Sequence, residues 1–274
     1  MRRRPFLFLP TLALMCGRFT LTDPQHVKER YKALSLFETG PRFNRGPLQT
    51  APVVLQRDDD TVIDGFKWGL LAPWMSPKDG FKTINARVEG LRDTEKPTKT
   101  YVPAVKAGRR CIIPADGFYE WKDEKHGPLK KDIVKVPHYY RFKDGRIFSM
   151  AGLWQEWEGM IEKKDEDGKK VEEKGKLVTF TIITALPIEI VKEVHDRSPV
   201  ILTREAEAAW LDPSVGPSEA LGLLNPYENH EEMETFRVRQ EVGSFRNDFP
   251  ALIEPVKDEP AEDELAPEQG KLFK

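Results

Sequence analysis

Cysteine is scarce in this chain, with only two among 274 residues. Two cysteines cannot build the disulfide framework that stabilises small secreted domains, and Cys16 and Cys111 are too far apart in sequence to suggest a metal-binding cluster. The composition therefore favours a reducing compartment, the cytoplasm, and we expect neither a metal nor another cofactor.

A long apolar run is also missing, since no segment supplies the roughly 20 apolar residues that a transmembrane helix needs, and we expect no membrane partner. Residues 1–15 do combine Met1-Arg2-Arg3-Arg4 with an apolar run over 6–14, which resembles a secretory signal. That run is short, contains Pro10 and lacks a cleavage site of small residues. We interpret 1–15 as a removable leader or as residues that precede the true start at Met15; an exported lipoprotein is the alternative.

The chain also lacks the positive charge of a protein that coats nucleic acid, because its net charge is −2. The acidic excess is concentrated in residues 257–274, and residues 1–256 carry a net charge of +1, which leaves room for a local basic site. We predict one domain over 16–256. The tail over 257–274 has many carboxylates and little to bury, so we predict that it is disordered.

The sequence Met15-Cys16-Gly17 suggests a specific chemistry, because removal of Met15 would make Cys16 the N-terminal residue. Such a residue carries an amine and a thiol on adjacent carbons. Both can attack one aldehyde, the amine giving an imine and the thiol then closing a five-membered thiazolidine ring. The alternative is that Cys16 is simply a small buried side chain.

Two further stretches carry polar groups beside aromatic residues. Residues 83–89 alternate polar and apolar, which predicts a strand that places Asn85, Arg87 and Glu89 on one face. That face is either a binding surface or merely solvated. The aromatic run over 66–74 predicts either a core plug or a surface on which bases stack.

Glu120 and His195 are the candidate acid–base groups. Glu120 lies between Tyr119 and Trp121, and desolvation by such neighbours raises the pKa of a carboxyl group, as a general acid requires; a glutamate facing water at a strand end is the alternative. A short helix opened by Pro187 is predicted to place His195 near its C-terminus, which would favour the imidazolium form. A simple helix cap is the alternative there. Cys111 is flanked by isoleucines and is predicted to be core.

The remaining pattern predicts both helices and strands. The predicted elements are a helix over 24–37, a strand over 51–55, strands over 147–156 and 177–184 that flank a hairpin tip near Gly168, a helix capped by Thr203 that runs to Trp210, and a late strand over 233–242.

Six ordered motifs together resemble the SOS response-associated peptidase (SRAP) family, over residues 16 to about 256. They are Met15-Cys16-Gly17-Arg18-Phe19, Trp68-Gly69-Leu70 with Pro73-Trp74, Asn85-Ala86-Arg87, Gly117-Phe118-Tyr119-Glu120-Trp121, Ala151-Gly152-Leu153-Trp154, and His195-Asp196-Arg197 with Pro199-Val200-Ile201-Leu202. The resemblance implies an α+β fold, a single domain with a largely antiparallel, curved and partly open barrel flanked by short helices.

The resemblance also implies a function in the DNA damage response. Members remove the initiator methionine and crosslink the exposed cysteine to the ring-opened aldehyde of an abasic site in single-stranded DNA, and the same cysteine is tied to an autoproteolytic activity. It implies Cys16 as nucleophile, Asn85 as the orienting amide, Glu120 as acid–base and His195 as a partner in proton transfer. The implied DNA-binding residues are Arg18 and Arg87 for phosphates, with Trp74, Phe81 and Trp68. A monomer associated with the nucleoid is expected.

Three departures from the family pattern stand out. Fifteen residues precede Cys16, Ser198 replaces the usual methionine before Pro199, and Arg45-Gly46-Pro47-Leu48 replaces the usual loop after Asn44. Crosslinking by this chain therefore requires a start at Met15 or cleavage after it.

The end of the tail, Gln269-Gly270-Lys271-Leu272-Phe273, resembles the pentapeptide that binds the bacterial sliding clamp. We predict that Gln269, Leu272 and Phe273 contact the clamp. Two other functions stay open from the sequence: a cysteine peptidase acting on proteins, and a noncatalytic adaptor between single-stranded DNA and the clamp.

Overall fold

The computed structural model describes residues 17–256, except 126, 128, 130, 131, 166 and 167. The leader, Cys16 and the tail from 257 lie outside the described residues. The strands are β1 Phe19–Leu21, β2 Leu34–Ser35, β3 Arg42–Arg45, β4 Thr50–Arg57, β5 Asp60–Trp68, β6 Asn85–Arg87, β7 Arg110–Ala115, β8 Gly117–Lys125, β9 Ile133–Phe142, β10 Phe148–Lys164, β11 Lys170–Ala185, β12 Ser198–Pro199, β13 Ile201–Leu202 and β14 Met233–Arg237. The α-helices are α1 Gln25–Tyr31, α2 Val88–Arg92, α3 Val102–Lys106, α4 Arg204–Leu211 and α5 Pro217–Gly222.

Five strands close into a small barrel. Strands β11, β10, β7, β4 and β5 pair in that order with antiparallel neighbours, and a parallel pairing of β11 with β5, which sets Phe180 beside Trp68, completes the ring. Buried apolar side chains fill it, as expected for a barrel of this size. The predicted α+β class, with a largely antiparallel curved sheet and short helices, is confirmed.

A second sheet, in the order β14-β9-β8-β1-β3, packs against this barrel. Phe118 of β8 stacks on Tyr140 of β9 at 5.0 Å between ring centroids, and both belong to the main core. Tyr119, one residue later, packs in a separate cluster with Tyr139 on the other side of the sheet. Successive side chains in a strand point to opposite faces, so Glu120 shares the face of Phe118, toward the barrel.

Several predicted elements end earlier than the sequence pattern indicated. The helix predicted over 24–37 stops at Tyr31, because Lys32 adopts a left-handed conformation (φ 49°) and caps the last turn. The strand predicted over 83–89 covers only Asn85–Arg87, and Glu89 lies in α2. The predicted late strand ends at Arg237.

Other predictions are confirmed or extended. The long hairpin is present, and β10 and β11 stay paired out to Lys164 and Lys170. The Thr203 hydroxyl accepts a hydrogen bond from the Ala206 N–H and caps α4. Ser198 is buried, and its hydroxyl accepts the Ile188 N–H at 3.0 Å. Within the described ranges, no helix has the length and apolar character needed to cross a membrane.

Candidate active site

The start of β1 runs beside Glu120. In the antiparallel register Phe19 lies opposite Phe118, and the Tyr119 N–H donates to the Arg18 carbonyl at 3.1 Å. The same register carried one residue further sets Gly17 opposite Glu120. Cys16 itself is not among the described residues, but it is the residue bonded to Gly17.

Glu120 is buried, with 1% of its surface exposed, and it lies opposite His138 of β9. Burial raises the pKa of the neighbouring Tyr140 hydroxyl, and the negative charges of Glu120 and Glu193 raise it further. Of the two sequence interpretations, a carboxyl among aromatic groups is therefore the one found, and a water-facing glutamate is not.

Asn85 begins β6, a short strand that pairs in parallel with β11 at Ile182. The Tyr101 hydroxyl donates to the Asn85 carbonyl at 2.7 Å. This bond and the strand pairing fix the backbone from which the Asn85 side chain projects.

Trp68 connects the segment that carries Asn85 to β1. Its indole Nε1 donates to the Ile84 carbonyl at 2.8 Å, and its ring contacts Phe19 edge-on at 5.2 Å. None of its surface is exposed. Trp68 is therefore a core residue. Its buried ring presents no surface to DNA, in contrast to the DNA-binding role expected from the sequence.

His195 lies in a turn after a short 3₁₀ helix, Glu189–Val191, whereas the sequence predicted a short helix that ends close to His195. Burial lowers its pKa below the ordinary value, against the attraction of Asp196 and together with repulsion from Lys135. The expectation of a stabilised imidazolium is wrong for this reason: the helical segment ends four residues earlier, and desolvation dominates.

Two ion pairs join the turn that carries His195 to the other candidate residues. The Arg197 guanidinium makes two hydrogen bonds of 2.7 Å to the Glu89 carboxylate, in the helix that follows β6. On the other side, Lys122 of β8 lies 3.9 Å from Glu193. The segments that carry Asn85, Glu120 and His195 are thereby connected around the start of β1.

Arg18 lies on the other face of the β1–β8 pair and is engaged in packing. Its guanidinium donates to the carbonyls of Val242 and Gly243 at 3.2 and 2.9 Å, and to the Asn44 side chain at 3.2 Å. Burial lowers its pKa to about 10. Arg18 thus ties a distant loop to the start of β1, and the phosphate contact expected from the sequence stays a prediction.

Phe245, in that loop, was not anticipated. Its ring is 47% exposed and lies 5.2 Å from the Arg18 guanidinium. A Cβ on Gly46 would come within 3.0 Å of the Phe245 Cβ, so the glycine that departs from the family loop makes room for it. The signal in the sequence was an aromatic residue within a polar stretch.

The three remaining residues expected to contact DNA are at the surface. Trp74 is 65% exposed, Phe81 is 39% exposed, and Arg87 is exposed as well. The loop that carries both aromatic residues is held by the Trp157 indole, which donates to the Met75 carbonyl at 2.8 Å. A fixed loop with two exposed rings is suited to stacking on bases.

Cys111 is fully buried, as the sequence predicted, and burial raises the pKa of its thiol. Such a thiol stays protonated and unreactive. Cys16 is therefore the one cysteine left for chemistry.

The structure therefore places a buried carboxyl, Glu120, beside the start of β1, with the amide Asn85 and the imidazole His195 on segments connected to it. The profile described as SOS response associated peptidase (SRAP) matches residues 15–245, and the chain belongs to this family.

Curated relatives include the abasic site processing protein YoqW of Bacillus subtilis, 37% identical over 88% of this chain and 99% of that protein. The abasic site processing protein HMCES of Gallus gallus is 32% identical over 79% of this chain and 67% of that protein. A crystal structure of a Bacteroides thetaiotaomicron protein matches with a TM-score of 0.68 and 26% identity, over 88% of this chain and all of the other.

Proposed function

We propose that this protein processes abasic sites in single-stranded DNA by forming a thiazolidine between Cys16 and the sugar aldehyde, once the residues before Cys16 are removed. The observation that carries the proposal is the register of β1 against β8, which runs the chain adjoining Cys16 past buried Glu120. The names of the curated relatives at 30–37% identity support the same substrate.

The chemistry is balanced without a cofactor. The Cys16 amine attacks the aldehyde carbon of the ring-opened sugar, and loss of one water gives an imine. The thiol then adds to the imine carbon while its proton passes to the nitrogen, and this closes the ring. The adduct is therefore the sum of protein and DNA less one water.

The described residues have distinct proposed roles. Glu120 gives a proton to the sugar ring oxygen as the ring opens and takes it back later. Asn85 orients the opened sugar, and His195 donates a hydrogen bond to the sugar during imine formation. Arg87 holds a phosphate, and Trp74 and Phe81 stack where the missing base interrupts the strand.

The test is intact-mass spectrometry on the chain that begins at Cys16, before and after incubation with a single-stranded oligonucleotide that contains one abasic site. We expect complete conversion to a species of the summed mass less one water. The matched substrate is the same oligonucleotide with an intact base, which should give no adduct.

Two variants separate this proposal from its alternatives. Cys16→Ser keeps the amine but has no thiol to close a thiazolidine. We therefore expect only an imine, which can be trapped only by adding a reducing agent. A chain that still carries residues 1–15 has no free amine at Cys16 and should form no adduct until those residues are removed. If the chain that begins at Cys16 stays unmodified, the proposal is refuted. If in addition no variant forms an adduct while Cys16→Ala still binds DNA, the protein is an adaptor.

The family description as a peptidase supports a second activity of the same residue, the release of residues 1–15 by the chain itself. The purified Met1 chain should then shorten to a Cys16 start without added protease, and Cys16→Ala should not. Shortening of Cys16→Ala at the same rate would assign the cleavage to another enzyme.

A further inference from the structure

The turn that carries His195 fixes the imidazole through a hydrogen bond to one of its ring nitrogens, Nδ1. The backbone N–H of Arg197 donates to His195 Nδ1 at 3.1 Å. A nitrogen that accepts a hydrogen bond carries no proton, so the neutral ring must be protonated on Nε2. The side chain is 15% exposed, which leaves it little contact with solvent.

Arg197 is itself fixed by three hydrogen bonds from its guanidinium. Its guanidinium makes the two 2.7 Å bonds to Glu89 and donates to the Thr184 carbonyl of β11 at 2.8 Å. The arginine side chain is only 7% exposed, whereas that of Glu89 is 54% exposed. Because the guanidinium is paired and nearly buried, the Arg197 side chain is held in one conformation. The backbone N–H of Arg197 is thereby held in place as well.

We propose that the Glu89–Arg197 ion pair is a positioning device that keeps His195 as the neutral tautomer protonated on Nε2. His195 then acts as a hydrogen-bond donor to the ligand, and not as an imidazolium. The role of His195 as a hydrogen-bond donor to the ligand rests on the proposed function, whereas the assignment of its tautomer does not.

The surrounding charges act on the His195 pKa in both directions, and burial outweighs them. Within the described part of the chain, the charged groups that act on the imidazole are Asp196 and Arg197 of its own turn and Lys135 of β9. Burial is the largest influence and lowers the pKa of His195. The Asp196 carboxylate lies 3.0 Å from Nδ1 but is 81% exposed, so water screens its attraction for a proton there.

The hydrogen bond from the Arg197 N–H also determines how the His195 imidazole can gain a second proton. A proton can enter at Nδ1 only if the bond from the Arg197 N–H is given up, and the Nδ1–H would then donate to Asp196. The ion pair that fixes Arg197 opposes this exchange. His195 therefore keeps its donor on Nε2 through the reaction.

The experiment is nitrogen-15 NMR of histidine-labelled full-length protein without DNA, with the His195 signals assigned by loss in His195→Gln. We expect the Nε2–H tautomer at neutral pH and titration below the ordinary value of about 6.5. In Glu89→Gln, we expect a mixture of tautomers and a pKa that moves up toward the ordinary value.

The sign of that change separates positioning from simple electrostatics. Removing the Glu89 charge leaves Arg197 less neutralised, and through space this would lower the pKa of His195 further. Glu207→Gln is the matched control, because it disrupts the ion pair of Glu207 with Arg30 elsewhere in the protein. It should leave the His195 signals unchanged.

An Nδ1–H tautomer in the wild-type protein, or a His195 pKa that stays or falls in Glu89→Gln, would overturn the inference. In the crosslinking assay, Glu89→Gln should slow adduct formation at saturating oligonucleotide without weakening the binding of DNA. Absence of any adduct from the wild-type chain would instead refute the proposed function, and the NMR result would stand apart from it.

Discussion

At the scale of single residues, the proposed proton transfers depend on Glu120, a buried carboxyl on β8. Flanking aromatic residues indicated a desolvated carboxyl, and the side chain is indeed buried. His195 could not be interpreted in the same way, because its protonation depends on burial by residues distant in sequence. Neighbours in the sequence indicate the immediate surroundings of a side chain. Desolvation by residues distant in sequence, which also shifts the pKa, can be seen only in the folded structure.

Replacing Glu120 by glutamine should slow adduct formation by about 100-fold, because an amide cannot exchange the proton that general acid–base catalysis needs. Glutamine has nearly the same volume, so the melting temperature should change little. Single-turnover crosslinking measures the rate. Glu158→Gln, at a carboxylate of the β10–β11 hairpin that pairs with Lys176 at the surface, is the control and should react normally. An unchanged rate in Glu120→Gln would remove this residue from the mechanism.

Arg18 and Arg87 were both assigned to phosphates by resemblance, but the Arg18 guanidinium is held against a distant loop whereas the Arg87 side chain is exposed. Arg18→Met loses hydrogen bonds to two carbonyls and to Asn44, which should cost about 2 kcal/mol of unfolding free energy in urea titrations. Arg87→Met should weaken DNA binding with little loss of stability. Equal stability of the two variants would contradict this division.

His195 should also give the stability of the protein a pH dependence. Its pKa is lowered in the folded state, so below about pH 6.5 the unfolded chain binds more protons, and stability falls as the pH drops. His195→Gln lacks this contribution. Urea midpoints between pH 7.5 and pH 5 should therefore decline less in the variant, and parallel declines would argue against a lowered pKa.

At the scale of elements, helix and strand types were predicted better than their extents. Periodicity placed a helix at 24 and continued it through Leu34, which instead lies in β2 beside Val62. Likewise, alternation over 83–89 could not show that α2 begins at Val88. Parallel pairings such as β6 with β11 join residues about 100 apart, and no local pattern encodes them.

The loop with Trp74 and Phe81 depends on a close approach of two glycines. Gly69 has φ +120°, and a Cβ there would lie 2.4 Å from the Gly80 carbonyl oxygen. Gly69→Ala should therefore cost about 2 kcal/mol in unfolding free energy and weaken DNA binding through the displaced loop. Gly216→Ala is the control, since nothing lies within 4 Å of its added Cβ. Equal stability of the two variants would contradict this account.

At the scale of the whole molecule, a net charge of −2 is compatible with the covalent attachment to DNA proposed above. Few phosphate contacts are then needed, and non-covalent affinity should be modest and salt-sensitive. Such a protein benefits from a second means of reaching its substrate. We predict that the acidic segment over 257–274, which lies outside the described residues, provides it through the apolar pair Leu272-Phe273 near its end.

Replacing Leu272 and Phe273 together by alanine should abolish co-purification with the bacterial sliding clamp, because two apolar side chains supply most of the buried surface of so short a peptide. The same variant should crosslink an abasic oligonucleotide at the normal rate, since the site at β1 is untouched. Lys274→Ala, next to the motif, is the matched control and should keep clamp binding. Undiminished capture of the clamp by the double variant would show that the tail is not the tether.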